Sequence, residues 1–162
     1  MPDARIEVAD DENFSHIRLI GRTTFALSHS FSEYGMAVVE RVNHISIDLS
    51  HCESMDSTIM GVMAKIGLAA RQKGAVAQVV NADERLQKQL NSLGLTRILG
   101  FSHTESGDNE WVSLCQASVD SMPKGATQET ILEAHETLMD IDPENIPKFK
   151  NVVEYLRKDL NK

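Results

Sequence analysis

Asp56, Ser57 and Thr58 put a carboxylate beside two hydroxyls, inside the stretch ISIDLSHCESMDSTIMGVM that runs from Ile45 to Met63. Such a trio can do three kinds of chemistry. Its oxygens can accept from the free N–H groups of a helix's first turn, which is capping. A hydroxyl there can carry a phosphate, because those N–H groups and the helix dipole favour added negative charge. A serine can also be a nucleophile, given a base. No G-x-S-x-G surrounds Ser57, and its base would have to come from His29 or His51 through the fold. Local pattern alone favours capping.

Other chemistry is not signalled. The six histidines show neither H-x-x-x-H nor H-E-x-x-H spacing, and His51-Cys52-Glu53 has no second ligand-rich motif to complete a metal site. No G-x-x-x-x-G-K-[ST] or G-x-G-x-x-G is present, so neither a nucleotide nor any other cofactor is implied.

The elements that must position Ser57 follow from periodicity. Ile45, Ile47 and Leu49 alternate with Ser46 and Asp48, as a strand requires. A polar link, Ser50–Ser54, leads to the trio. Beyond it Ile59, Val62, Met63, Ile66, Ala69 and Ala70 form a helical core stripe that Lys73-Gly74 ends. Met60 lies just off the stripe beside Ser57, a core residue or an adaptable contact for a partner. Upstream, Arg5–Ala9 and Ser15–Ile20 read as a hairpin, Gly21–Thr24 as a loop and Ala26–Val42 as an amphipathic helix. Downstream come a strand at Ala75–Val80, a helix at Asp83–Leu93 and a strand at Arg97–Phe101. Strands alternating with helices predict an α/β fold with a mostly parallel sheet, helices packed on it and an N-terminal antiparallel hairpin.

This order, with the pieces IDLS, MDST-IMGVM, VVNADERL and LNSLGLTRILGF, resembles the STAS domain of bacterial anti-sigma factor antagonists over roughly residues 4–103. Ile59 stands where many members carry Gly, and Thr24 replaces the Asp of a G-x-L-D loop. The resemblance implies a binding switch, not an enzyme. Ser57 would be the phosphorylated residue. Asp56, Ser57, Thr58, Met60, Arg22 and Thr24 would form the partner-binding face. The implied partners are an anti-sigma factor kinase with a histidine-kinase-like ATPase fold, which the unphosphorylated protein sequesters, and a PP2C-type phosphatase. A non-phosphorylated accessory subunit of a membrane transporter is the second expectation, and a Ser57-dependent hydrolase the third.

Composition narrows the classes further. Of 162 residues 41% are hydrophobic, and the formal net charge is −8. That balance argues against a nucleic-acid surface, which needs a basic patch. No apolar run approaches the ~20 residues that span a bilayer, so no membrane insertion is expected. The acidic start MPDARIEVADDENF lacks a secretory plan. With two cysteines, Cys52 and Cys115, read as free thiols, a cytoplasmic protein is expected.

The acidity is uneven. Residues 105–144 carry ten acids against Lys124 alone. We divide the chain into a STAS-like domain at 1–110 and a mainly helical extension at 111–162. The extension holds Trp111–Leu114 in a strand or short helix, a linker at Met122–Ala126, and helices at Thr127–Met139 and Asn145–Asn161. Ile131, Leu132, His135, Leu138 and Met139 share one side of the first helix. Phe149, Val152, Val153, Leu156 and Leu160 share one side of the second. Such stripes need cover, from the body or from a partner, and the expectation is that the extension packs on the STAS-like body.

Overall fold

The computed structural model describes residues 4–104, 110–116 and 124–161. Strands β1 (Arg5–Asp10) and β2 (Phe14–Thr23) form the antiparallel hairpin, in register from Arg5 opposite Ile20 to Asp10 opposite Ser15. Asp11 makes the turn by accepting from the N–H groups of Asn13 and Phe14 at 3.0 and 2.9 Å. β2 is longer than its apolar pattern, because it serves two neighbours. Phe14–Arg18 pairs in parallel with β3 (His44–Asp48), and Gly21–Thr23 pairs in parallel with β4 (Cys52–Met55). The register slips between Gly21 and Arg22, where Gly21 takes φ 79°, a left-handed conformation that glycine tolerates. Gly21–Thr23 is therefore strand rather than loop. The polar link likewise contains β4, whose Cys52 and Met55 are buried.

Among the described residues the sheet has seven strands, ordered β6-β5-β3-β2-β1-β7, with β4 paired to the far end of β2. Here β5 is Val76–Val80, β6 is Gly100–Ser102 and β7 is Val112–Gln116. β2, β3, β5 and β6 run parallel, while β1 is antiparallel to both its neighbours. β6 is shorter than the expected strand, since Leu95–Arg97 forms a 3-10 turn first. β7 settles the open reading at Trp111–Leu114. The extension begins as a strand on the free edge of β1.

Helices α1 (Ser28–Val39), α2 (Ser57–Lys73) and α3 (Glu84–Ser92) follow the predicted order. Gly74, at φ 83°, closes α2 by donating to the Ala70 and Arg71 carbonyls. Ile45, Ile47, Phe31, Ile59, Met63, Ile66 and Leu86 make the core between sheet and helices. The alternate residues of β2 and β3 carry a polar layer. His16 Nδ1 lies 2.8 Å from Ser46 Oγ, Arg18 pairs with Asp48 at 3.3 Å, and the Arg18 guanidinium lies 3.9 Å from the Trp111 ring centre.

The chain then returns as α4 (Lys124–Ile141), a 3-10 turn (Pro143–Asn145) and α5 (Ile146–Leu160). α4 begins inside the stretch predicted as linker. It packs across α2 and α1, and α5 packs on α4. Ala134, Leu138, Val153 and Leu156 are buried, but Val152 is 41% exposed, so the α5 stripe is narrower than the sequence suggested.

Candidate functional site

Asp56 fixes the start of α2. Its backbone is extended, and its Oδ1 accepts from the Ile59 N–H at 2.9 Å, which is N-capping. Its Oδ2 accepts from the Phe25 N–H at 2.8 Å, and its own N–H donates to the Thr23 carbonyl at 3.2 Å. One residue thus ties the first turn of α2 to the end of β2 and, through its carboxylate, to the turn that follows β2. Thr24 caps the adjoining 3-10 turn, Phe25–Leu27, by accepting from Ala26 N–H. A hydroxyl there does part of the capping that an aspartate would do.

The six residues expected on the partner-binding face are unequally placed. Asp56, Ser57 and Thr24 are half-buried neighbours at the junction of β2, β4 and α2. Arg22 lies on the rim, paired with Glu53 at 3.2 Å with both side chains largely in solvent. Thr58 and Met60 are only 4% and 3% exposed, and Met60 belongs to the core. As folded, Ser57 is the hydroxyl of the trio nearest solvent.

Ser57 Oγ lies 2.8 Å from Nε2 of His135, on α4. His135 Nδ1 lies 2.7 Å from the Ile131 carbonyl. A carbonyl only accepts, so Nδ1 carries the proton and, in the neutral ring, Nε2 accepts from the Ser57 hydroxyl. The ring is 4% exposed and meets Phe149 of α5 edge-on at 5.0 Å. The histidines expected as bases bond elsewhere: His29 to Thr130 and Glu33, His51 to Ser50. Sequence reading missed His135 because 78 residues separate it from Ser57. One signal was present, a lone imidazole on the apolar side of a helix, which must find a polar partner when buried.

Two further contacts hold α4 at this place. A methyl group on Gly61 would collide with the Ala134 carbonyl and Cβ, so the two helices touch where α2 has no side chain. Lys65 pairs with Glu133 and donates to Ser32 Oγ at 3.2 Å. Nearby, burial foremost pushes the Cys52 thiol above its ordinary range, against a hydrogen bond from Thr23. It stays protonated and is a poor nucleophile.

The model of the STAS domain family matches residues 5–107. The chain belongs to the STAS domain family. No curated protein sequence matches it at a significant level. Solved structures agree on the STAS fold. The anti-sigma factor antagonist SpoIIAA in its unphosphorylated form is 13% identical, with a TM-score of 0.52 over 65% of this chain and 90% of that one. The phosphorylated form of SpoIIAA from Bacillus, there called a cell fate determinant, gives 13%, 0.55, 62% and 92%. TM1081 of Thermotoga maritima, a candidate anti-sigma factor antagonist, gives 21%, 0.55, 60% and 85%. These STAS structures are nearly covered from end to end, whereas more than a third of this chain lies outside each match. The family match itself stops before β7, α4 and α5.

Proposed function

We propose that this STAS protein is an anti-sigma factor antagonist, a binding module switched by phosphorylation of Ser57. Unphosphorylated, it sequesters an anti-sigma factor kinase with a histidine-kinase-like ATPase fold; that kinase phosphorylates Ser57 and is released, and a PP2C-type phosphatase reverses the step. The observation that carries the reading is the position of Ser57. Its hydroxyl opens α2 directly after the Asp56 cap, with Thr58 buried beside it. A phosphate there adds about −1.5 to −2 charges. The N-terminus of α2 tolerates that charge within this fold. A fitted interface would have to desolvate it next to Asp56, so binding weakens while the domain survives.

A hydrolase is the poorer account of the same serine. His135 is oriented by a backbone carbonyl rather than a carboxylate, and the Ile59 N–H that could have met an oxyanion already serves Asp56.

The test uses the protein in extract of its own cells with ATP. Phosphopeptide mapping should place phosphate on Ser57, and tagged protein should retain an ATPase-type kinase. Ser57→Ala should keep that partner and Ser57→Asp should lose it. Phosphate confined to Thr58, or none under any condition, overturns the assignment.

A further inference from the structure

The STAS module carries its phosphorylatable serine at a helix start, and in this chain a helix from the extension closes over that place. We infer that the α4–α5 hairpin is a gate on Ser57: it fills the face beside Ser57 in cis, and a kinase or partner reaches Ser57 only when the hairpin lifts. The inference rests on the function proposed above for Ser57 and adds the regulation of that site.

The contacts divide into a latch and a hinge. At the latch, Ser57 bonds His135, Lys65 bonds Glu133 and the Ala134 backbone sits against Gly61. At the hinge, buried Asn145 donates to the carbonyls of Leu93 and Leu138 at 2.9 and 2.7 Å, and Lys148 donates to the Ser92 carbonyl at 3.1 Å. The latch uses the very hydroxyl that phosphorylation would modify. A phosphorylated oxygen has no proton to give, so the hydrogen bond that the Ser57 hydroxyl now donates to Nε2 is lost on phosphorylation. Attack by Ser57 on a γ-phosphate likewise needs an in-line approach to Oγ, and His135 now occupies one side of it. Docked hairpin and engaged Ser57 therefore exclude one another.

Gly61 offers a selective way to open the gate. Alanine is a better helix former than glycine, so Gly61→Ala leaves α2 sound, yet its Cβ strikes the backbone of α4. Asn145→Ala loosens the hinge instead and touches neither α2 nor Ser57. Each change is placed in full-length protein bearing Ser57→Cys as a reporter. N-ethylmaleimide labelling of residue 57 is followed by peptide mass mapping, which separates it from Cys52 and Cys115. Amide exchange in β3 reports whether the body stays folded. The expected result is labelling about tenfold faster or more in both variants, with β3 protection unchanged. Equal rates in all proteins, or acceleration only together with loss of β3 protection, would overturn the gate; should Gly61→Ala fail to fold, Asn145→Ala decides alone. In the extract-and-ATP assay, chains with Ser57 intact should gain phosphate about tenfold faster when Gly61 is Ala. Equal phosphorylation also overturns the gate. Phosphate on neither chain refutes the function proposed for Ser57, and the labelling rates then still decide whether the hairpin gates that position.

Discussion

At the scale of the residue, Asp56 joins Thr23, Phe25 and Ile59 through three hydrogen bonds. Asp56→Ala removes two of them and should lower stability by about 1–2 kcal/mol, the range of a lost N-cap; urea melts at pH 7 measure it. Asp48 gives a pH dependence. Burial alone would raise its pKa, but hydrogen bonds from Ser50 and the Arg18 guanidinium outweigh that and hold it below the usual carboxylate range. Its contribution is therefore complete above the unfolded value of about 3.9 and fades as pH falls through the lower folded value. Asp48→Asn should be less stable than the parent at pH 7, and the gap should close as pH drops below about 4. Denaturant midpoints from pH 7 to pH 2.5 would show it; a constant gap would contradict the assignment. Of the site, Asp56 and Ser57 were legible because capping chemistry is local and leaves its residue types in order. His135 was not, since nothing within α4 says which distant hydroxyl its imidazole will meet.

At the scale of the element, the legible parts are those whose period is set by one packed face. β3 and α2 show their inward residues at intervals of two and of three to four, and both lie where predicted. β4 was hidden because four residues, Cys-Glu-Ser-Met, are too few to show a period. They are extended because β2 reaches past its bulge to pair with them. In α5 the sequence overstated the buried face. Val152 and Val153 are adjacent, and a helix turns about 100° per residue, so the two stand at different angles to α4; Val153 is buried there and Val152 is left 41% exposed. Leu156→Ala should cost about 2–3 kcal/mol, as for a large buried side chain removed. Val152→Ala should stay within about 0.5 kcal/mol, as surface changes do. The pair of melts distinguishes a docked α5 from a free one, in which both changes would be small.

At the scale of the whole molecule, the part of this chain that matches the family model holds β1–β6 and α1–α3, and beyond it the described residues add the edge strand β7 and the helices α4 and α5, of which α4 packs across α1 and α2. Removing residues 117–162 should uncover the α1–α2 face that Ala134 and Leu138 now cover. The shortened protein should melt lower and self-associate, because an exposed apolar patch seeks cover; light scattering after size exclusion would detect it. β7 has a further consequence. It is hydrogen-bonded along β1, and only residues 117–123 lie between it and α4. An undocked hairpin thus remains on a short leash, at an effective concentration on the order of millimolar. Redocking is then a first-order event, indifferent to how dilute the protein is. A competitor's apparent affinity falls by the fraction of molecules standing open, so the hairpin sets a fixed threshold of partner concentration rather than one that drifts with the protein's own abundance.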